Sequence, residues 1–155
     1  MRLFLDAESD GFLGELISMA LVADDGREWY EVLPYFQYEG DSWAARHVIP
    51  VLRLQPIETR EAFSQSLQKF LSQFDWVHIV CDWPGDIRHF CDALFLDSEN
   101  GELIFMPDKI TFELDRTLPN AKDISRIPHN ALEDAKAIRI FVVNREQRSA
   151  RAKQL

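Results

Sequence analysis

The chain opens with three β-patterned runs, and a fourth returns only after a long helical stripe; few folds accommodate that order. Arg2, Leu3, Phe4 and Leu5 lead into Asp6 with little polar alternation, as a short buried strand would. Glu15 to Ala23 supplies a second strand through Leu16, Ile17, Met19, Leu21 and Val22, and Glu28 to Leu33 a third. Asp24, Asp25 and Gly26 lie between them, so 15–33 reads as a hairpin. Trp43 to Leu54 is less regular, with Pro34, Pro50 and Pro56 marking interruptions, and reads as a partly helical connection.

Thr59 then caps a helix whose Phe63, Leu67, Phe70, Leu71 and Phe74 fall at helical spacing, a stripe that packs into a core. Trp76 to Cys81, with β-branched Val77, Ile79 and Val80, is the fourth strand. Pro84 and Gly85 mark a turn, and Asp86 to Phe95 reads as a helix with Ile87, Phe90, Cys91 and Leu94 inward. Leu103 to Met106 and Ile110 to Leu114 each carry a strand pattern, without indicating which joins the main sheet. Asn130 and Glu133 have the spacing of a capping box, and Ala131, Ala135, Ile138 and Val142 share one face of a final helix running to about Arg145. The order implies an α/β architecture: a mixed sheet of three antiparallel strands and then a parallel one, flanked by helices. One domain is expected over 1–145, with a basic tail over 146–155.

Composition narrows what such a domain does. A net charge of −9 disfavours a protein that clamps a long duplex, which requires clustered Lys and Arg. A site that takes only the end of a strand is still compatible, because bound cations offset negative charge locally. Cys81 and Cys91 lack zinc-ligand spacing and suggest a reducing, cytoplasmic setting. No run has the length of a membrane span, so no membrane association is expected.

With 26 Asp and Glu, any single acidic pair is weak evidence; their order and local setting carry the argument. Asp6 and Glu8 are two apart at the end of the first strand, so both carboxylates face one side of the sheet. Asp86 opens one helix and Asp134 lies one turn inside another. If both helix starts face the end of the first strand, the four acids can hold two hard cations, Mg²⁺ or Mn²⁺. Two such ions, about 3.5–4 Å apart, can stabilise the attacking and leaving oxygens of a displacement at phosphorus. His129 follows Pro128 just ahead of the helix cap, so it sits on a loop, where an imidazole is suited to general-base work at neutral pH.

Three stretches carry a family resemblance. They are Phe4-Leu5-Asp6-Ala7-Glu8, Asp86 with Phe90, and the string His129, Asn130, Ala131, Leu132, Glu133, Asp134, Ala135. In order and spacing they resemble the motifs of the DEDDh 3′ to 5′ exonucleases, members of the RNase H-like superfamily. Glu15 to Ser18 and Asp25-Gly26-Arg27 resemble a subgroup of small stand-alone bacterial exoribonucleases with a mycobacterial member. The resemblance implies two divalent ions on Asp6, Glu8, Asp86 and Asp134, with His129 activating the water. Nucleoside 5′-monophosphates would leave the 3′ end of single-stranded RNA, expected over DNA.

It also implies substrate contacts from Ser9, where many members carry Thr, and from Phe12 and Leu13 as an apolar wedge under the terminal base. Relatives of this size are often dimers, so a homodimer is expected. Asp82, at the end of the fourth strand, competes with Asp86 for the middle role, and Asp86 is preferred because a helix with Phe90 follows it. Trp83 reads first as core and second as a base platform, and Arg145, Arg148, Arg151 and Lys153 read as helix-end cations. Two alternatives stand beside this reading: an exonuclease for DNA or short oligonucleotides, and a non-catalytic interaction module of the same fold.

Overall fold

A computed structural model describes residues 1–12, 14–35, 42–94 and 109–153. Five strands form one sheet: β1 (Arg2–Ser9), β2 (Leu16–Ala23), β3 (Glu28–Val32), β4 (Val77–Cys81) and β5 (Ile110–Leu114), in the order β3-β2-β1-β4-β5. β1 lies at the centre, antiparallel to β2 with Asp6 opposite Ala20, and parallel to β4 with Phe4 opposite Val80. β2 and β3 form the expected hairpin, and β5 runs parallel to β4 at the sheet edge. This is an α/β fold with a mixed sheet, consistent with the RNase H-like superfamily.

The helices are α1 (Trp43–His47), α2 (Arg60–Leu71), α3 (Pro84–Leu94), α4 (Ala121–Ile124) and α5 (Ala131–Ala152), with a short 3-10 turn at Ile49–Val51. On one face of the sheet, Leu3, Leu5, Met19 and Leu21 pack with Phe63, Leu67, Leu71 and Phe90 from α2 and α3. Each such side chain contributes roughly 1.5–3 kcal/mol on burial. On the other face, Phe4 and Val80 meet Ile138 and Val142 of α5, while Ala20 and Val22 meet Ala131 and Ala135. The alternation along β1 explains the site that follows. Leu3, Leu5 and Ala7 stay apolar under α2 and α3, while the alternate positions change from Phe4 to Asp6 and Glu8 where the strand faces the start of α5.

Several expectations shift in detail. β1 continues through Ser9 because β2 pairs with it that far, with a register change between Glu8 and Ser9. α3 begins at Pro84, whose missing N–H suits a first helical position, so Asp86 falls in the first turn. α5 does not stop near Arg145 but continues to Ala152, as Gln147, Arg148, Ala150 and Arg151 are good helix formers. The short α4 had no clear sequence signal. The strand pattern at Leu103 to Met106 lies outside the described residues. Among the described residues, no helix is long and apolar enough to cross a membrane.

Candidate functional site

At the end of β1, residues far apart in sequence line one cleft of about 500 Å³. Asp6 and Glu8 project from β1 toward α5, Asp82 directly follows β4, Asp86 stands in the first turn of α3, and Asp134 in the first turn of α5. Their oxygens form two overlapping triads, Asp6 with Asp82 and Asp86, and Asp6 with Glu8 and Asp134. Within each triad the oxygens lie within 4.8 Å of one another. Asp6 belongs to both.

Asp6, Glu8, Asp86 and Asp134 are buried, and Asp82 is half-buried. Burial, and then the charges of Asp86, Glu8, Asp134 and Asp82, push the Asp6 carboxyl well above the ordinary carboxylate range. Asp86 is raised in the same way, by burial and then by Asp82 and Glu8. Burial raises Asp134 to about 6, and burial also raises Asp82. Asp6 Oδ2, Asp86 Oδ2 and Asp134 Oδ1 are buried without a hydrogen-bond partner. Unpaired buried carboxylate oxygens are costly, and an all-oxygen donor set matches Mg²⁺ or Mn²⁺. The residues therefore fit a hard divalent cation at each triad.

His129 occupies the left-handed region, with φ 66°, a conformation unusual for a residue with a side chain. Its neighbours hold it there. The His129 N–H donates to Asp134 Oδ2 at 3.1 Å. Asn130 caps α5 by accepting from the Glu133 N–H at 3.1 Å, and its amide donates to the Val51 and Leu52 carbonyls at 2.7 and 3.3 Å. The edge of the Trp43 ring meets the imidazole at 4.9 Å between centroids. Nδ1 lies 3.8 Å from Glu8 Oε1, an ion-pair rather than a hydrogen-bond distance. The Glu8 carboxylate is the main reason the imidazole pKa rises above 6.5.

The remaining expected residues divide. Ser9 lines the cleft, but its hydroxyl donates to the Gly11 carbonyl at 3.1 Å and closes the local turn. Phe12 stands on the rim, 82% exposed. Leu13 lies outside the described residues. Trp83, expected first as core, is instead 44% exposed on the cleft wall, because its ring is held against Gly85 and under Arg116. The basic positions of the last helix stay out of the cleft, and Arg145 pairs with Asp115 at 2.9 Å. Trp43, Arg116 and Lys122 also line the cleft and were not singled out from sequence. None of the three carries a motif that marks it in the sequence.

No protein-family model matches the chain. Two curated proteins, each named 3′-5′ exoribonuclease and from two strains of Mycobacterium tuberculosis, are 34% identical to it over 152 residues. The match covers 88% of this chain and 88% of each relative. The chain belongs to this exoribonuclease family. Because the match spans most of both chains, family membership does not rest on a short shared fragment. The family name identifies a hydrolytic nuclease and an RNA substrate for those relatives.

Proposed function

We propose that this protein is a DEDDh-type, metal-dependent 3′ to 5′ exoribonuclease that removes nucleoside 5′-monophosphates from single-stranded RNA. The observation that carries the reading is the pair of carboxylate triads sharing Asp6, with orphaned buried oxygens and a histidine at their edge, in a member of an exoribonuclease family. Asp6, Glu8 and Asp134 would hold one divalent ion, and Asp6 with Asp86 and Asp82 the other. When bound, two such ions supply Lewis acidity to the phosphoryl oxygens and balance charge on the attacking and leaving oxygens.

The chain's own groups do the rest. With Nδ1 toward Glu8, Nε2 of His129 is the nitrogen left to take the proton of the attacking water. The Glu8 carboxylate strengthens that base and stabilises the imidazolium once it forms. Water attacks phosphorus as the bond to the 3′ oxygen of the penultimate nucleotide breaks; one water proton goes to His129, and the departing oxygen takes a proton from solvent. The terminal nucleotide departs as its 5′-monophosphate. Asp134 keeps the imidazole in place through the His129 N–H, and Asn130 ties the same loop to the 3-10 turn. Phe12 and Trp43 offer aromatic faces for the terminal base, a sequence-tolerant way to hold a single strand. Ser9 contributes polar contacts beside them, with Leu13 as a companion to Phe12.

A homodimer is part of the same reading, with Ile140 and Phe141 on α5, 52% and 36% exposed, as apolar surface it could cover. A monomer mass in light scattering would remove that element alone. The reading as a whole is tested by digesting end-labelled RNA and DNA oligomers with Mg²⁺ or Mn²⁺ and identifying the products. Stepwise 3′ shortening of RNA with 5′-monophosphate release is expected. Internal cleavage, or no cleavage where a control exonuclease works, would refute it.

A further inference from the structure

Many arginines of this acidic chain find acids: Arg2, Arg27, Arg60, Arg88 and Arg145 each lie within salt-bridge distance of a carboxylate. Arg116 is different. It lines a cleft with five carboxylates, yet among the described residues it forms no salt bridge. Its guanidinium acts on the Asp82 carboxylate only at longer range, and its direct contacts are two uncharged partners. It lies over the Trp83 ring, 4.8 Å from the centroid, and donates to the main-chain carbonyl of Asp82. The indole is itself fixed, since a Cβ at Gly85 would come within 2.9 Å of its Cδ1 and Nε1.

A guanidinium normally satisfies its planar fork on a carboxylate or phosphate. Here ring and carbonyl hold a guanidinium that is exposed and lines the cleft, with N–H donors beyond the one that Asp82 takes. That is the posture of a preorganised anion site. On the exoribonuclease reading the scissile phosphate sits among the buried carboxylates, whereas Arg116 and Trp83 are exposed members of the same lining. We propose that Arg116, braced on Trp83, binds the strand phosphate immediately 5′ of the scissile one, so that the β4–α3 side of the cleft carries the RNA backbone. This rests on the exoribonuclease reading above. It gives the cleft two unlike walls, with Phe12, Trp43 and His129 at the terminal nucleotide and Arg116 on the continuing strand.

The test compares wild type with Arg116→Gln in two assays. In the first, binding of a fluorescein-labelled single-stranded RNA is followed by anisotropy with Ca²⁺ across a salt series. The variant is expected to bind ~10-fold more weakly, the loss of a hydrogen bond to a charged group. Its plot of log affinity against log salt should be shallower by ~0.7, one single-strand phosphate contact. Arg116→Lys should restore the salt slope and only part of the affinity, because an ammonium keeps the charge and loses the fixed fork. In the second, KM is measured on longer RNA and on a dinucleotide with a 5′-hydroxyl, which has only the scissile phosphate. KM should rise on the longer RNA and be unchanged on the dinucleotide, with kcat little affected.

Equal binding and slope for wild type and variant, or an equal KM change on both substrates, would overturn the assignment while leaving the exoribonuclease reading intact. If wild type neither binds nor shortens RNA, both fall together. A lower melting temperature without the salt and length effects would mark Arg116 as structural and also overturn the proposal.

Discussion

Replacing Asp134 by Asn should stabilise the metal-free protein at alkaline pH while disabling the site. Asp134 is 2% exposed, and burial lifts its carboxyl from the ordinary 3.8 to about 6. A carboxyl whose folded pKa exceeds its unfolded one binds more protons when folded, so stability falls as pH rises from the unfolded value through the folded one. At ~1.4 kcal/mol per pKa unit, the ionised Asp134 costs ~3 kcal/mol above pH 6. The substituted amide would keep an oxygen for the His129 N–H, and that bond's preference for the charged carboxylate is already contained in the shift to about 6. The expected net gain is therefore ~3 kcal/mol at pH 8, or ~6–12 °C in melting temperature for a domain of this size. Near pH 4, where the native carboxyl is already protonated, the gain should vanish. Differential scanning calorimetry in EDTA at both pH values measures this directly. Adding Mn²⁺ should close most of the gap, since wild type gains ~2.7 kcal/mol at a hundredfold excess over Kd and the variant less. A variant less stable than wild type at both pH values in EDTA would refute the claim that the acids are crowded against their own charge.

His129→Gln should lower kcat ~10²–10⁴-fold, the usual worth of a general base, with little change in KM. In the metal-free protein an NMR pH titration should place the His129 imidazole pKa above 6.5, because the Glu8 carboxylate raises it; a value below 6.5 would count against that pairing. Asn130→Ala removes a helix cap and leaves the Val51 and Leu52 carbonyls without its amide, so thermal unfolding should report a loss of ~1–3 kcal/mol. Phe12→Ala should leave the melting temperature unchanged, because the ring is exposed, while raising KM by the ~1–3 kcal/mol of a lost base stack. Unchanged KM in steady-state kinetics would remove Phe12 from the substrate surface.

Much of the cleft was legible because its main parts are local patterns. Asp6 and Glu8 follow from the two-residue period of a strand, and Asn130 with Glu133 marks the start of α5, which fixes Asp134 in its first turn. The choice between Asp82 and Asp86 could not be made from spacing. One directly follows β4 and the other enters α3 four residues later, and that sharp turn brings both within reach of Asp6, so they share a triad. Trp43 meets His129 only through tertiary packing across a proline-broken connection, which leaves no periodicity to read. The Arg116–Trp83 pair was hidden for the same reason, since it joins the β5–α4 loop to the β4–α3 turn. β5 was legible as a strand from the alternation of Ile110, Phe112 and Leu114 with Thr111 and Glu113, but its place in the sheet was not, because pairing with β4 is a tertiary contact. α5 overran its expected end because its charged last turns contain neither Gly nor Pro to stop it.

A crystal grown with Mn²⁺ and measured for anomalous scattering would test the metal reading most directly. Two anomalous peaks are expected in the cleft, one coordinated by Asp6, Glu8 and Asp134 and the other by Asp6 with Asp86 and Asp82. In Asp6→Asn both peaks should weaken, since Asp6 is common to the two triads. Peaks confined to surface acids, with none beside Asp6, would contradict metal-assisted hydrolysis at this site.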